Sequence, residues 1–107
     1  MKIEPVSPDE FTDLIEVWEA SVRATHDFLP EDDISYFKPL ILKEYFFLVN
    51  LRCLRDLDGR ILGFSGVADD KLEMLFLRPD ARGKGIGKAL LAYCIDHLNV
   101  TKVDVNE

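Results

Sequence analysis

Arg82-Gly83-Lys84-Gly85-Ile86-Gly87-Lys88 is the stretch of this sequence best suited to holding an anion. An apolar run, Leu72 to Leu77, precedes it and stops at Arg78-Pro79. After it, Ile86, Ala89, Leu90, Tyr93, Cys94 and His97 recur at helical spacing. The spacing predicts strand, glycine loop, helix, with the loop at the helix N-terminus. There the first backbone N–H groups have no intrahelical partners and the helix dipole is positive, which favours phosphate oxygens. Glycine lets such a group come close to the backbone. Two nucleotide loops are excluded by spacing. The pattern GxxxxGK[ST] fails because Ala89 follows Gly87-Lys88 and Arg82 stands five positions before Gly87. The pattern GxGxxG fails because the glycines fall at 83, 85 and 87, after strands that read as a meander. What remains is Arg-x-x-Gly-x-Gly, at Arg82, Gly85 and Gly87.

Charge placement singles out the same loop. The net charge is −7, which argues against nucleic acid as a partner. Residues 1–33 carry ten acids and two bases, whereas residues 78–88 carry Arg78, Arg82, Lys84 and Lys88 against Asp80 alone. The acidic third reads as a solvated helix face, and it also suits an amine or otherwise cationic acceptor. No apolar run approaches the ~20 residues of a membrane helix. Cys53 and Cys94 are lone thiols in apolar surroundings, for which a reducing cytoplasm is the simplest setting. No His/Cys/Asp spacing suggests a metal site.

The elements that must position the loop follow from pattern. Lys2 to Val6 is a short strand. Ser7-Pro8-Asp9-Glu10 is a helix start with a capping box, and Phe11, Leu14, Ile15, Trp18 and Val22 form an apolar stripe to about Thr25. Pro30-Glu31-Asp32-Asp33 opens a second helix, which Pro39 should break or kink. Phe46 to Leu54 reads as a strand, Asp58-Gly59 as a hairpin turn, and Ile61 to Ala68 as the partner strand. Gly63 and Gly66 hint there at a bulge or close backbone approach. Asp69-Asp70-Lys71 makes the next turn, Leu72 to Leu77 is a third strand, and a helix from about Gly83 to Leu98 leads to a strand at 101–105. The crossover should be parallel and right-handed.

At this point the sequence resembles the GNAT superfamily of acyl-CoA-dependent N-acetyltransferases. LFLRPDARGKGIGKALL is similar to that family's acetyl-CoA-binding motif, with Pro79 and the R-G-K-G-I-G-K run in place. The resemblance covers residues 1–107 as a single domain and implies an α+β (or α/β) fold with a mixed sheet in the order β-α-α-β-β-β-α-β. It implies that backbone groups of Leu75, Phe76 and Leu77 bind the pantetheine arm of acetyl-CoA like an added strand. Arg82, Gly83, Lys84, Gly85, Ile86, Gly87 and Lys88 would then bind the pyrophosphate. Family members continue past residues 101–105 with a helix, carrying a Tyr that protonates the leaving thiolate, and two more strands. The expectation is therefore a C-terminally incomplete domain with an exposed strand edge, prone to homodimerise.

Acyl transfer needs a deprotonated amine held beside the thioester carbon. Glu73, on the strand leading to the loop, is the candidate base, acting through water; the alternative is a solvent-facing acid at a strand start. His26, with Asp27 beside it, is the second candidate, since the resemblance places the junction of the first two helices at the acceptor pocket; the alternative is a structural interhelical His. His97 suits the negative end of its helix dipole. Tyr93 reads as core, and Tyr36 and Tyr45 lie in the region shaping the acceptor side. The expected function is acetyl transfer from acetyl-CoA to a small-molecule or peptide amine by direct attack in a ternary complex, since no nucleophile is evident. The alternative is a CoA-binding module or inactive fragment whose site a partner chain completes.

Overall fold

The structure, a computed structural model, describes residues 2–25 and 29–103. Among the described residues, five strands form one sheet in sequence order: β1 (Lys2–Pro5), β2 (Asn50–Arg55), β3 (Ile61–Ala68), β4 (Lys71–Leu77) and β5 (Lys102–Val103). The first four are antiparallel neighbours, and β5 runs parallel to β4 through Lys71↔Lys102 and Leu72↔Val103. Helices α1 (Phe11–Ala24), α2 (Glu31–Leu40) and the short α3 (Phe46–Leu48) precede β2, and α4 (Ile86–His97) joins β4 to β5. This is the mixed α+β architecture expected.

Each face of the sheet has its own core. On one, Phe11, Leu14, Ile15, Val17 and Trp18 of α1 pack with Ile34, Ile41, Phe46, Leu51, Cys53 and Phe64. Burying each such large apolar side chain contributes about 1.5–3 kcal/mol, far more than intrinsic helix propensity. On the other, Ile86, Leu90 and Cys94 of α4 meet Leu54, Leu62, Val67 and Leu72. Cys53 and Cys94 are both buried thiols, and burial pushes the Cys53 thiol up.

Three boundaries differ from expectation. Pro39 neither ends nor interrupts α2; the helical path continues to Leu40, widens into a π turn at Ile41–Tyr45 and runs on through α3. Phe46 to Leu48, expected in a strand, are therefore helical. Phe46 is 1% exposed and packs between Phe11 and Phe64, and that burial outweighs the β preference of its neighbours. Finally, α4 begins at Ile86 rather than Gly83, because Gly83 and Gly85 hold left-handed φ of 77° and 78°.

Ion pairs fasten α1 to α2 and β1 to β2. Glu19 receives Arg23 at 2.9 Å and Lys38 at 2.5 Å, and Arg23 also grips Glu31. Arg55 of β2 binds Glu4 and Glu10. Hydrogen bonds from Arg55 hold the Glu10 carboxyl below its ordinary value, and those from Lys38 and Arg23 do the same for Glu19. A carboxylate lowered by folding stabilises the fold above its unfolded pKa and loses that contribution as pH falls through the folded one. The urea midpoint should therefore hold from neutral pH to about pH 5 and decline below it. The decline should be shallower in Glu10→Gln and Glu19→Gln; an equal decline in both would remove these pairs as its cause.

Candidate active site

The glycine loop is seated by apolar residues on both sides. Ala81, ending a 3₁₀ turn (Pro79–Ala81), is 1% exposed, and Ile86 is 2% exposed. Both enter the cluster of Leu54, Leu62 and Leu90, so Arg82, Gly83, Lys84 and Gly85 stand out from the surface between two fixed points. Gly63 makes room for the seat. A Cβ there would lie 2.5 Å from Leu77 Cδ2, 3.0 Å from the Phe76 carbonyl oxygen and 3.5 Å from Ile86 Cγ2. The close approach that Gly63 and Gly66 suggested in the sequence is thus present, and a ladder irregularity lies beside each.

Helix α4 leaves its first donors free. Its first intrahelical bond runs from the Ala89 N–H to the Gly85 carbonyl at 3.0 Å. The N–H groups of Ile86, Gly87 and Lys88 precede that ladder, and no side chain caps them. No acid lies in the first turn. The neighbouring charges divide into used and unused. Arg78 Nε donates to the Ile61 carbonyl at 2.6 Å, and Asp80 is taken by Arg60 at 3.1 Å. Among the described residues Lys84 and Lys88 have no ion-pair partner, so two uncommitted ammonium groups flank the three N–H groups in sequence. A diphosphate fits this donor set: backbone donors, a positive dipole end and two uncommitted ammonium groups.

The second part is an open strand edge. Arg78 N–H donates to the Leu62 carbonyl at 2.8 Å. Alternation along an antiparallel ladder then directs the backbone groups of Phe76 to β3, and those of Leu75 and Leu77 to the other edge. Among the described residues β5 accompanies β4 only at Lys71 and Leu72, so that edge is unpaired from Leu75 to Leu77. The open edge runs directly to the loop.

Glu73 occupies an irregularity between these parts and the start of β4. Gly66 pairs with Met74 and Val67 with Leu72, so Glu73 is an extra residue bulged out of the ladder. Its side chain is 39% exposed and pairs with Lys71 at 3.4 Å. Leu72 consequently faces the α4 core while Met74 faces the α1 core. His26 lies outside the described residues. His97 ends α4, its ring 4.6 Å from that of Tyr93 and tilted by 40°. Tyr36 and Tyr45 are both exposed.

Sequence reasoning missed one contact. Arg82 Nη2 donates to the Ser21 hydroxyl at 3.2 Å and to the Ser21 carbonyl at 3.4 Å, tying the loop to α1. Ser21 is 5% exposed. The signal was its position: Ser21 continues the spacing of Leu14, Val17 and Trp18, a polar residue where the stripe calls for an apolar one.

A mixed sheet with an open β4 edge leading to an uncapped, glycine-lined helix start is the arrangement of the acetyltransferase (GNAT) family. That family's model matches residues 11–103, and the chain belongs to it. Among its relatives are the peptidyl-lysine N-acetyltransferases YjaB of Salmonella typhimurium (strain LT2) and Escherichia coli (strain K12). The first is 33% identical over 102 residues, covering 92% of this chain and 68% of that protein. The second is 27% identical over 99 residues, covering 92% and 67%. The solution structure of apo YjaB from Escherichia coli superposes with a TM-score of 0.77 at 28% identity, over 89% of this chain and 64% of that one. The PaiA N-acetyltransferase of Thermoplasma acidophilum, a coenzyme A complex, shares the fold with a TM-score of 0.75 at 23% identity, over 92% and 73%. The chain therefore spans about two thirds of the length of the YjaB proteins.

Proposed function

We propose that this chain binds acetyl-CoA along β4 and the glycine loop and transfers its acetyl group to a primary amine, a peptide lysine being the favoured acceptor. The observation that carries the donor is the continuity of two sets of backbone groups that are unpartnered among the described residues: the Leu75 and Leu77 edge, then the N–H groups of Ile86, Gly87 and Lys88. A pantetheine arm carries amides that pair with a strand edge, and it ends in a diphosphate that such a helix start attracts. Lys84 and Lys88 add charge at the same end. The peptide-lysine acceptor is supported by the YjaB relatives' names and by Asp32 and Asp33 at the acidic α2 start.

When bound, the thioester supplies an electrophilic acyl carbon with a thiolate leaving group. The amine nitrogen forms the new C–N bond as the C–S bond breaks, and the nitrogen sheds a proton. Glu73 takes that proton, through water, from an exposed position on the bulge. Attack is direct. Both cysteines are buried, and the Cys53 thiol is pushed up, away from the thiolate form a covalent route would need.

Acetyl-CoA at about a hundredfold its Kd should stabilise the chain by about 2.7 kcal/mol. No rise in melting temperature at millimolar ligand would remove the donor assignment. Thiol release in the presence of lysine peptides tests the acceptor. Glu73→Gln should lower kcat/KM by about a hundredfold while leaving acetyl-CoA binding intact; an unchanged rate would mean another group takes the proton.

A further inference from the structure

We propose that Arg82 is a positioning residue that trades partners when the donor binds, leaving Ser21 for the diphosphate and thereby loosening the end of α1. The proposal rests on the CoA reading of the loop. The Arg82 guanidinium sits on two neutral oxygens, the Ser21 hydroxyl at 3.2 Å and the Ser21 carbonyl at 3.4 Å. Both contacts are at the long end of the hydrogen-bond range, and among the described residues no carboxylate pairs with Arg82. Its neighbours in the chain, Gly83 to Lys88, are the loop that gathers an anion. A guanidinium prefers a phosphate, with shorter and roughly twice stronger charge-assisted bonds, to a hydroxyl and an amide carbonyl. A diphosphate arriving at the start of α4 therefore competes for Arg82 with an advantage.

What Arg82 leaves behind matters because of where Ser21 lies. Ser21 is in the last turns of α1, where carbonyls run out of helical partners and a cation favours the dipole. Thr25 is the other group serving that end: its hydroxyl reaches the Ser21 carbonyl at 3.3 Å and the Val22 carbonyl at 3.1 Å. With Arg82 withdrawn, Thr25 is the one side chain left serving it among the described residues. Donor binding at α4 thus frees the last turn of α1, on the opposite face of the sheet from α4. By reciprocity, weakening the hold of Ser21 on Arg82 must strengthen donor binding.

The test is calorimetric titration of CoA into wild-type, Ser21→Ala, Arg82→Gln and the double variant, with amide hydrogen exchange on the wild type. Ser21→Ala should tighten CoA about two- to fivefold, the worth of one competing hydrogen bond. Arg82→Gln should weaken CoA about tenfold, and Ser21→Ala should give no benefit in its presence. In the wild type, saturating CoA should speed exchange at residues 22–25 while slowing it in α4; general ligand stabilisation alone would slow both. Ser21→Ala that leaves CoA affinity unchanged or weaker, or α1 exchange that slows with CoA, would make the contact a fixed strut and overturn the proposal. The exchange experiment needs no variant, so a poorly folding Ser21→Ala does not block it. If the wild type binds no CoA, the donor assignment falls too; if it binds without the α1 response, only the exchange of partners falls.

Discussion

Gly85→Glu should abolish the acetyl-CoA-induced rise in melting temperature. Gly85 is the residue immediately before α4, at φ 78°, and its carbonyl accepts the first bond of that helix. A Cβ built on it meets nothing within 4 Å, so the free protein has room for a side chain. The stability cost is then the left-handed backbone alone, about 1–2 kcal/mol for a residue with a Cβ. The binding cost is larger and has a different origin. A carboxylate at this point stands beside the N–H groups of Ile86, Gly87 and Lys88, where the diphosphate would lie, and repels it at contact range. Gly85→Asn is the control, since asparagine tolerates the left-handed region and brings no charge. It should melt close to the wild type and retain most of the shift. A full shift in Gly85→Glu would locate the phosphates elsewhere.

Phe64→Ala should lower the unfolding free energy by about 3–5 kcal/mol, out of the 5–15 kcal/mol of an ordinary domain. Phe64 is on the central strand and 0% exposed. Its ring meets Phe46 edge-on at 5.7 Å and Phe76 at 5.7 Å, and Phe46 in turn meets Phe11 at 5.1 Å. The ring thus joins α1, α3, β3 and β4 in one aromatic chain of contacts. Phe64→Leu, which keeps more of the volume, should cost less than half as much. Urea unfolding of both variants measures the difference. A loss under about 1 kcal/mol in Phe64→Ala would show that this face repacks freely.

The sequence made the fold legible where pattern and packing agree. Lys2–Pro5, Ile61–Ala68 and Lys71–Leu77 stand within a residue of where alternation and turn residues put them, and the Phe11 to Trp18 stripe faces the core as its period requires. It misled where a tertiary contact decides. Phe46 has the type of a strand residue, yet on its helical path its ring packs between those of Phe11 and Phe64. Pro39 carries a local veto on helix, but a proline costs one N–H donor, and the helical path continues around it. The glycine loop before α4 was readable because it needs only glycines and a helix start, both local features. The link from Arg82 to Ser21 spans sixty-one positions, and no local pattern announces which oxygen a distant guanidinium will find.

The extra residue in β4 stands outside the pairing that sets the faces of the strand. Replacing the Glu73 side chain alters a solvated carboxylate and leaves every neighbour in place. Deleting the residue would leave the faces in place too, because Leu72 and Met74 already stand against Val67 and Gly66, which are successive residues of β3. Leu72 and Met74 would become successive residues of a regular ladder, still turned to opposite faces as they are now. The register from Lys71 to Leu77 would survive, and the local bend and the carboxylate would go. Position 73 is thus a tolerated insertion: the sheet closes as well without it, and what its presence adds is a solvated side chain at a kink.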